Sequence, residues 1–334
     1  MGLLDEILAH STLNSGDIWV WSDHWKKLSS INPKPYGGLP AATMRITRRD
    51  LKRILIEKAE RTDTIWKWNT TFSGAERLSN NKIRATFSTD EGKTVSMEDC
   101  DLLVAADGTN SAVGDAFRPG DMKLHYTGAT QIGGISRLPD GLPHPIHEDY
   151  GLQMSSGEGV CCIYTPFDNK TVAWALSRLE PERAAKSNFT MEEFSSLKEE
   201  ALQAASMFQE PFKTVVEATD PDTAFIRPAH ERPAFRHDAR LRGVMFIGDA
   251  NHVLNPFEFV GANLALKDGW DLAEQICRNA TMESTVVSYD KSSIPRFENV
   301  YKFSHTRLGF GHSTGLKWIF YKHGMAAQRA LGMV

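Results

Sequence analysis

Cysteine is scarce in this sequence: four residues in 334, namely Cys100, Cys161, Cys162 and Cys277. Their spacing matches neither a zinc site nor a disulfide framework, so a metal module and a disulfide-stapled secreted scaffold are both excluded. The adjacent pair Cys161-Cys162 sits in an apolar segment and reads as two buried thiols. Long apolar runs are missing as well. No stretch reaches the roughly 18 residues a membrane-spanning helix needs. The opening Met-Gly-Leu-Leu-Asp-Glu-Ile-Leu lacks the basic start and the cleavage site of a signal peptide. Met1-Gly2 does not continue into a myristoylation signal, because Glu6 stands where Ser or Thr is required. The Asn-x-Thr sequons at Asn69, Asn169, Asn188 and Asn279 carry no weight without a secretory signal. No one sign of charge dominates: 38 Lys+Arg face 42 Asp+Glu, for a net charge of -4. Nucleic-acid binding therefore has no support. A Gly-x-Gly-x-x-Gly loop between strand and helix is also lacking. Gly37-Gly38 and Gly133-Gly134 have neither the spacing nor the context. What remains reads as a cytoplasmic protein, 41% hydrophobic, with enough apolar residues for one or two domains.

What is there is organised around residues 243–273. The run Val244-Met245-Phe246-Ile247 has the length and composition of a buried strand, and Gly248-Asp249-Ala250 ends it. A turn-rich segment with Asn251, Asn255 and Pro256 follows. A helix is expected from Gly261 or Ala262, with Leu264, Ala265, Trp270, Leu272, Ala273 and Ile276 at helical spacing. A strand, an acid at its carboxyl end, a tight loop and a helix start together make a ligand-binding corner. The helix start offers free N–H groups and partial positive charge. Asp249 is placed to accept from hydroxyls, and Gly261 lets backbone approach a flat ligand. A purely structural strand–helix unit fits the same pattern.

The density of this stretch resembles one family. Gly-Asp-Ala-x-His, a Pro five residues before a Gly, then Ala-Asn-x-Ala-x-x-Asp and Leu-Ala are similar to the second FAD motif of the single-component aromatic-hydroxylase flavoproteins. These are the group A, para-hydroxybenzoate and salicylate hydroxylase-type monooxygenases, many of them fungal natural-product enzymes. The resemblance implies that Asp249 binds the ribityl side of FAD. It places Pro256 beside the reactive face, and Gly261, Ala262 and Asn263 at the isoalloxazine edge, where negative charge develops on reduction. It gives His252 a structural place near the cofactor. Arg48-Arg49-Asp50-Leu51 resembles the family's Arg-x-Asp-Leu motif, which assigns Arg48 to the pyrophosphate. Asp107-Gly108, with Ser111 three residues on, resembles the Asp-Gly motif that serves both FAD and NAD(P)H. Two positions depart from the pattern. Gly114 stands where the family has Arg, and Phe259 where it has the first of two glycines.

The rest of the chain is read for organisation. Residues 1–10 suggest a helix end, and 17–32 and 41–47 suggest strands around a Pro/Gly-rich turn. Residues 47–60 form a helix capped by Thr47 with Asp50, its residues Leu51, Ile54, Leu55 and Ala59 facing inward. Strands are expected at Ile65–Trp68, Ile83–Ser88, Thr94–Met97 and Leu102–Ala106, with a hairpin turn at 90–93. Residues 122–180 alternate as a mostly antiparallel sheet. Residues 190–218 are helical from a Thr190 cap. Residues 224–242, with Arg227, Arg232, Arg236, Arg240 and Arg242, lead back into the central strand. Helices are expected at Tyr289–Tyr301 and over 304–334. The Phe-, Trp- and Lys-rich tail is expected to pack on the domain rather than on a membrane.

The expected fold is α/β (α+β mixed): a partial Rossmann-like FAD-binding domain, an antiparallel-sheet substrate domain and C-terminal helices. Residues 1–120 and 226–290 are assigned to the first, 121–225 to the second, and 291–334 to the helices. By the resemblance, a βαβ unit of roughly 30 residues is expected before Met1. The implied function is FAD-dependent, NAD(P)H-driven hydroxylation of an aromatic or polyketide-type small molecule by O2, through a C4a-hydroperoxyflavin. A homologue without FAD doing non-redox chemistry, and a non-catalytic pseudoenzyme, stand beside it. No catalytic residue and no metal ligand is named. His125, Tyr126, His144, His147 and Tyr164 are candidate substrate contacts only as polar aromatics of the substrate segment. Oligomeric state stays open.

Overall fold

A computed structural model describes residues 2–14, 18–31, 34–35, 37–89, 92, 94–147, 150–155, 157–258 and 260–330. The chain divides into two compact units, one of Met1–Trp66, Gly128–Pro228 and Gly309–Val334, the other of Lys67–Thr127 and Ala229–Leu308.

The first unit is built on a sheet of seven strands. Their order is Phe225–Glu231, His125–Arg137, Thr171–Leu179, Val160–Pro166, Gly151–Met154, Ile18–Trp21 and Lys27–Ile31. From His125–Arg137 to Gly151–Met154 the neighbours run antiparallel, as the alternating pattern requires. Ile18–Trp21 then joins in parallel, with Leu152 opposite Val20. Val172, Trp174 and Leu176 point to one face and pack on Phe194, Leu197 and Ala201 of helix Met191–Ala204 and on Phe212 and Val215 of helix Phe212–Glu217. The first of these helices starts at a reciprocal capping box. Thr190 accepts from the Glu193 N–H, and the Glu193 carboxylate accepts from the Thr190 N–H. On the opposite face Val20, Leu28, Met154 and Cys161 meet Trp318 and Met325 of helix Gly315–Ala330. Helix Arg48–Glu60 is capped as expected: Thr47 accepts from the Asp50 N–H at 3.0 Å. Only Ile54 of its inward residues is buried, while Leu51, Leu55 and Ala59 are half-buried.

The second unit holds two parallel strands, Leu103–Ala105 and Val244–Phe246, with Val244 opposite Leu103 and Phe246 opposite Ala105. Met245 of the central strand is buried with Leu272 and Tyr289. Phe246 is buried on the other side with Ile83, Ala105, Val113 and Leu241. Beside them lies a three-stranded antiparallel sheet of Thr70–Arg77, Ile83–Thr89 and Thr94–Cys100.

The structure corrects several expectations. Residues 65–68 are not a strand; Ile65 is 85% exposed, and the strand is Thr70–Arg77, whose register against Ile83–Thr89 sets its position. Of the expected hairpin turn, residues 90, 91 and 93 lie outside the described residues, while the strands around it pair with Thr89 opposite Thr94. The break expected between residues 301 and 304 is absent. One helix runs from Met282 to Gly311 with Pro295 inside it, and the buried Ile294 and Phe297 hold it against its neighbours. Among the described residues, no helix is long and apolar enough to cross a membrane.

Candidate functional site

Both acids singled out in the sequence follow strands that lie side by side. Ile247 N–H donates to the Ala105 carbonyl at 3.0 Å, so the two chains leave the sheet together. One continues into Asp107-Gly108-Thr109, the other into Gly248-Asp249-Ala250. The Thr109 hydroxyl donates to the Asp249 carboxylate at 3.4 Å. Gly248 has φ +56, and a Cβ there would stand 2.9 Å from the Ala265 Cβ. The turn therefore presses its backbone on the helix Gly261–Arg278, and only glycine allows it. Asp107 has a structural duty as well: its carboxylate accepts from the Val113 N–H at 3.1 Å. Ser111 caps the short helix Ala112–Phe117, to which Val113 belongs, accepting from the Gly114 N–H at 2.8 Å. At Gly114, where the family has Arg, a Cβ would lie 2.4 Å from the Met122 Cε.

The loop after the turn is held from behind by two polar networks. His252 Nε2 meets an Asp268 carboxylate oxygen at 2.7 Å, and that oxygen also accepts from the Gly248 N–H at 2.9 Å. Arg296 closes the network, donating to Asp268 at 2.8 Å and to Asp271 at 2.5 Å, and Lys267 pairs with Asp271. Burial pushes the Asp268 carboxyl up, but the His252 contact, the Gly248 N–H and Arg296 outweigh it and hold the group below the usual carboxylate range. His252 also stacks on Phe297 with ring centroids 4.2 Å apart. The second network is centred on the buried Glu231. It accepts from Asn255 at 2.8 Å and from the Tyr301 hydroxyl at 2.7 Å, and meets His305 at 2.9 Å. Asn255 in turn accepts from the Ser304 hydroxyl. Asn255 immediately precedes Pro256, so this network sets where Pro256 stands.

A third device joins the two acid-bearing loops. Arg232 is buried, and its guanidinium donates to four main-chain carbonyls: Thr109 at 3.3 Å, Met122 at 2.9 Å, Asp249 at 2.7 Å and Ala250 at 3.2 Å. Burial lowers its pKa, and the charges of Asp249 and Asp107 act against that.

The donor set in front of these supports fits a flavin. Helix Gly261–Arg278 begins without a side-chain cap, and a Cβ on Gly261 would meet nothing within 4 Å. Ala262 and Asn263 are exposed. Its first N–H groups have no partner within the helix and carry the positive end of its dipole. Half-buried Asp249 offers a carboxylate to hydroxyls beside that edge. Of the residues the resemblance assigns to FAD, Asp107, Gly108, Asp249, Pro256, Gly261, Ala262 and Asn263 all belong to the unit of Lys67–Thr127 and Ala229–Leu308, and Arg48 does not. That residue is exposed at the start of helix Arg48–Glu60, in the other unit. Phe259 lies outside the described residues. The helix also turns differently from the sequence expectation. Trp270 and Ile276 are exposed, while Asp268 and Asp271 are buried between Leu264 and Leu272.

Glu231 was not singled out by sequence; Arg232 stood there only as one of five arginines, Asp268 only as the last residue of the Ala-Asn-x-Ala-x-x-Asp run, and Arg296 only in a loose Tyr-x-x-x-Arg helix pattern, none with the role it has here. Asp268 left a signal, since Leu264, Asp268 and Leu272 stand four apart and place an acid in a core stripe that must find partners. Of the candidate substrate contacts, Tyr164 is fully buried and donates to Gln153 at 2.7 Å, which makes its hydroxyl structural. His144 and His147 stand together with ring centroids 5.4 Å apart, and Tyr126 lies 5.7 Å from His230.

Comparison with known proteins shows the family. Residues 1–304 match the family described as FAD binding domain. Monooxygenase cfoF of Aspergillus candidus is 36% identical over 321 residues, covering 95% of this chain and 76% of that protein. FAD-dependent monooxygenase nscC of Trichophyton tonsurans is 25% identical over 245 residues, 65% of this chain and 58% of that protein. Among solved structures, Klebsiella pneumoniae HpxO complexed with FAD and uric acid superposes with a TM-score of 0.77 at 16% identity, over 96% of this chain and 78% of that one, a likeness of fold. The chain belongs to the FAD binding domain family and is an oxidoreductase of its FAD-dependent monooxygenase class, with their mixed α/β fold.

Proposed function

We propose that this protein inserts one oxygen atom of O2 into an aromatic or polyketide-type small molecule, with NAD(P)H as the electron donor. The substrate C–H becomes C–OH, NAD(P)H becomes NAD(P)+, and the second oxygen leaves as water, formed with the hydride and one proton taken from solvent. In this reading residues 226–290 carry the flavin edge, residues 121–225 the substrate sheet, and the protein works in the cytoplasm. Bound FAD supplies the two-electron reduction and the activation of O2. The chain supplies position and charge. Asp249 accepts from the ribityl hydroxyls. The N–H groups of Gly261, Ala262 and Asn263 stabilise negative charge at the isoalloxazine edge. Pro256 borders the reactive face, its place set by Asn255 and Glu231. Asp107 and Gly108 border the side shared with NAD(P)H, and Arg48 serves the pyrophosphate.

The observation that carries this reading is the helix start at Gly261, left without a side-chain cap in the unit that also holds Asp249. The test begins with the absorbance spectrum of the purified protein after addition of FAD and dialysis. A retained flavin band, followed by NAD(P)H oxidation that an aromatic substrate accelerates and by label from isotopic O2 in the product, is the expected result. A folded protein that holds no flavin would overturn the proposal.

A further inference from the structure

The helix Gly315–Ala330 has two apolar faces. Trp318 (4% exposed) and Met325 (6%) pack on the sheet of the first unit. Leu316 (85%), Ile319 (48%) and Phe320 (75%) stand in solvent. At 3.6 residues per turn, these three and Ala327 form a stripe on the side away from Trp318 and Met325. Lys317 borders the stripe on one side and Lys322 on the other, both exposed. His323 lies within it and is exposed too. From residue 299 to 334 the sequence has no Asp or Glu, in a chain whose net charge is -4, while Lys302, Arg307, Lys317, Lys322 and Arg329 all fall there. Acid is thus excluded from the segment that shows its apolar side chains to water.

We propose that this face seats on a bilayer surface that carries anionic lipid headgroups. Leu316, Ile319 and Phe320 enter the boundary between headgroups and acyl chains, and Lys317 and Lys322 lie over the headgroup charges. The helix lies in the interface rather than crossing it. The charge pattern selects lipid over the other occupants. A second copy meeting this face by two-fold symmetry would set the same cations against each other. A protein interface typically has few lysines, whereas here one stands on each border. An anionic bilayer satisfies the apolar stripe and both cationic borders at once. The aromatic substrates of the proposed reaction also partition toward such a surface; that link rests on the proposed function, while lipid binding itself does not.

The test is co-sedimentation of the full chain with vesicles of phosphatidylcholine alone, or of phosphatidylcholine mixed with phosphatidylserine. The chain should pellet with the mixed vesicles, stay in solution with the neutral ones, and be released by added salt. Leu316→Asp combined with Phe320→Asp should abolish pelleting. Lys317→Glu combined with Lys322→Glu should abolish it as well. Both double variants should melt at the wild-type temperature, because all four side chains are exposed. Failure of the wild type to pellet with mixed vesicles would overturn the proposal, as would equal binding to neutral vesicles or binding that survives L316D/F320D. A concentration-dependent dimer abolished by L316D/F320D would overturn it too and give the face to a second copy. The readout is lipid binding rather than turnover, so its failure leaves the hydroxylase reading to its own test.

Discussion

His252 and Asp268 meet at 2.7 Å, nitrogen to carboxylate, although sixteen residues separate them. One belongs to the loop after the central strand and the other to the helix that ends that loop. The same carboxylate oxygen accepts from the Gly248 N–H, so a single buried group fixes both ends of the segment between the central strand and its helix.

The sign of its pH dependence follows. The Asp268 pKa is lowered in the folded protein. Its contribution is therefore fully present above the unfolded carboxylate value, near 3.9, and is lost as pH falls through the lower folded value. Asp268→Asn should cost roughly 3 kcal/mol at neutral pH, because the buried His252 loses its carboxylate partner and the half-buried Arg296 keeps only Asp271. Urea melts from neutral to acid pH should show wild type and variant converging below about pH 4. A gap that stays constant across that range would contradict a depressed carboxyl.

Asp249 is half-buried, and the Thr109 hydroxyl donates to it weakly at 3.4 Å. On the proposed reading Asp249 accepts from the ribityl hydroxyls, and its removal should leave the fold intact. Asp249→Ala should reduce bound flavin, read as flavin absorbance per protein after dialysis, with little change in melting temperature. Unchanged occupancy would remove Asp249 from the cofactor site.

Arg232 spans four carbonyls with one planar guanidinium. Lysine keeps the charge but not the fork, so it cannot join both loops. Arg232→Lys should lower stability by about 2–4 kcal/mol and weaken flavin binding at temperatures where the variant is fully folded. A folded variant with wild-type flavin affinity would show that the loops hold their positions without it.

The thiols should separate by burial. Cys161 and Cys162 are buried in the sheet, and burial pushes both up, the Cys161 thiol to about 12. Cys277 is exposed. Iodoacetamide on the native protein, read by peptide mass spectrometry, should modify Cys277 and spare the pair until denaturant is added. Native labelling of Cys161 at the rate of Cys277 would contradict the burial.

Much of the site was legible because its determinants are close in sequence. The apolar run Val244-Met245-Phe246, the Gly-Asp turn and the helix from Gly261 follow from composition and period. So do the caps at Thr47 and Thr190, each made with a residue three positions on. The expected strand at residues 65–68 failed for a related reason. Ile65, Trp66 and Trp68 have the composition of a strand, but the partner strand pairs from Thr70 onward.

By itself the sequence determined the local elements and the presence of an acid, a loop and an open helix start in that order. Tertiary structure alone decided which polar groups are buried together. It chose Arg232 among five neighbouring arginines, and joined Arg296 to Asp268 across 28 residues. It also set Ile18–Trp21 in parallel beside Gly151–Met154, far along the chain. Hydrophobic period and capping act between neighbours, so they can be read along the chain. A buried charge is tolerated only where distant groups supply its partners, and that is settled when the chain closes on itself.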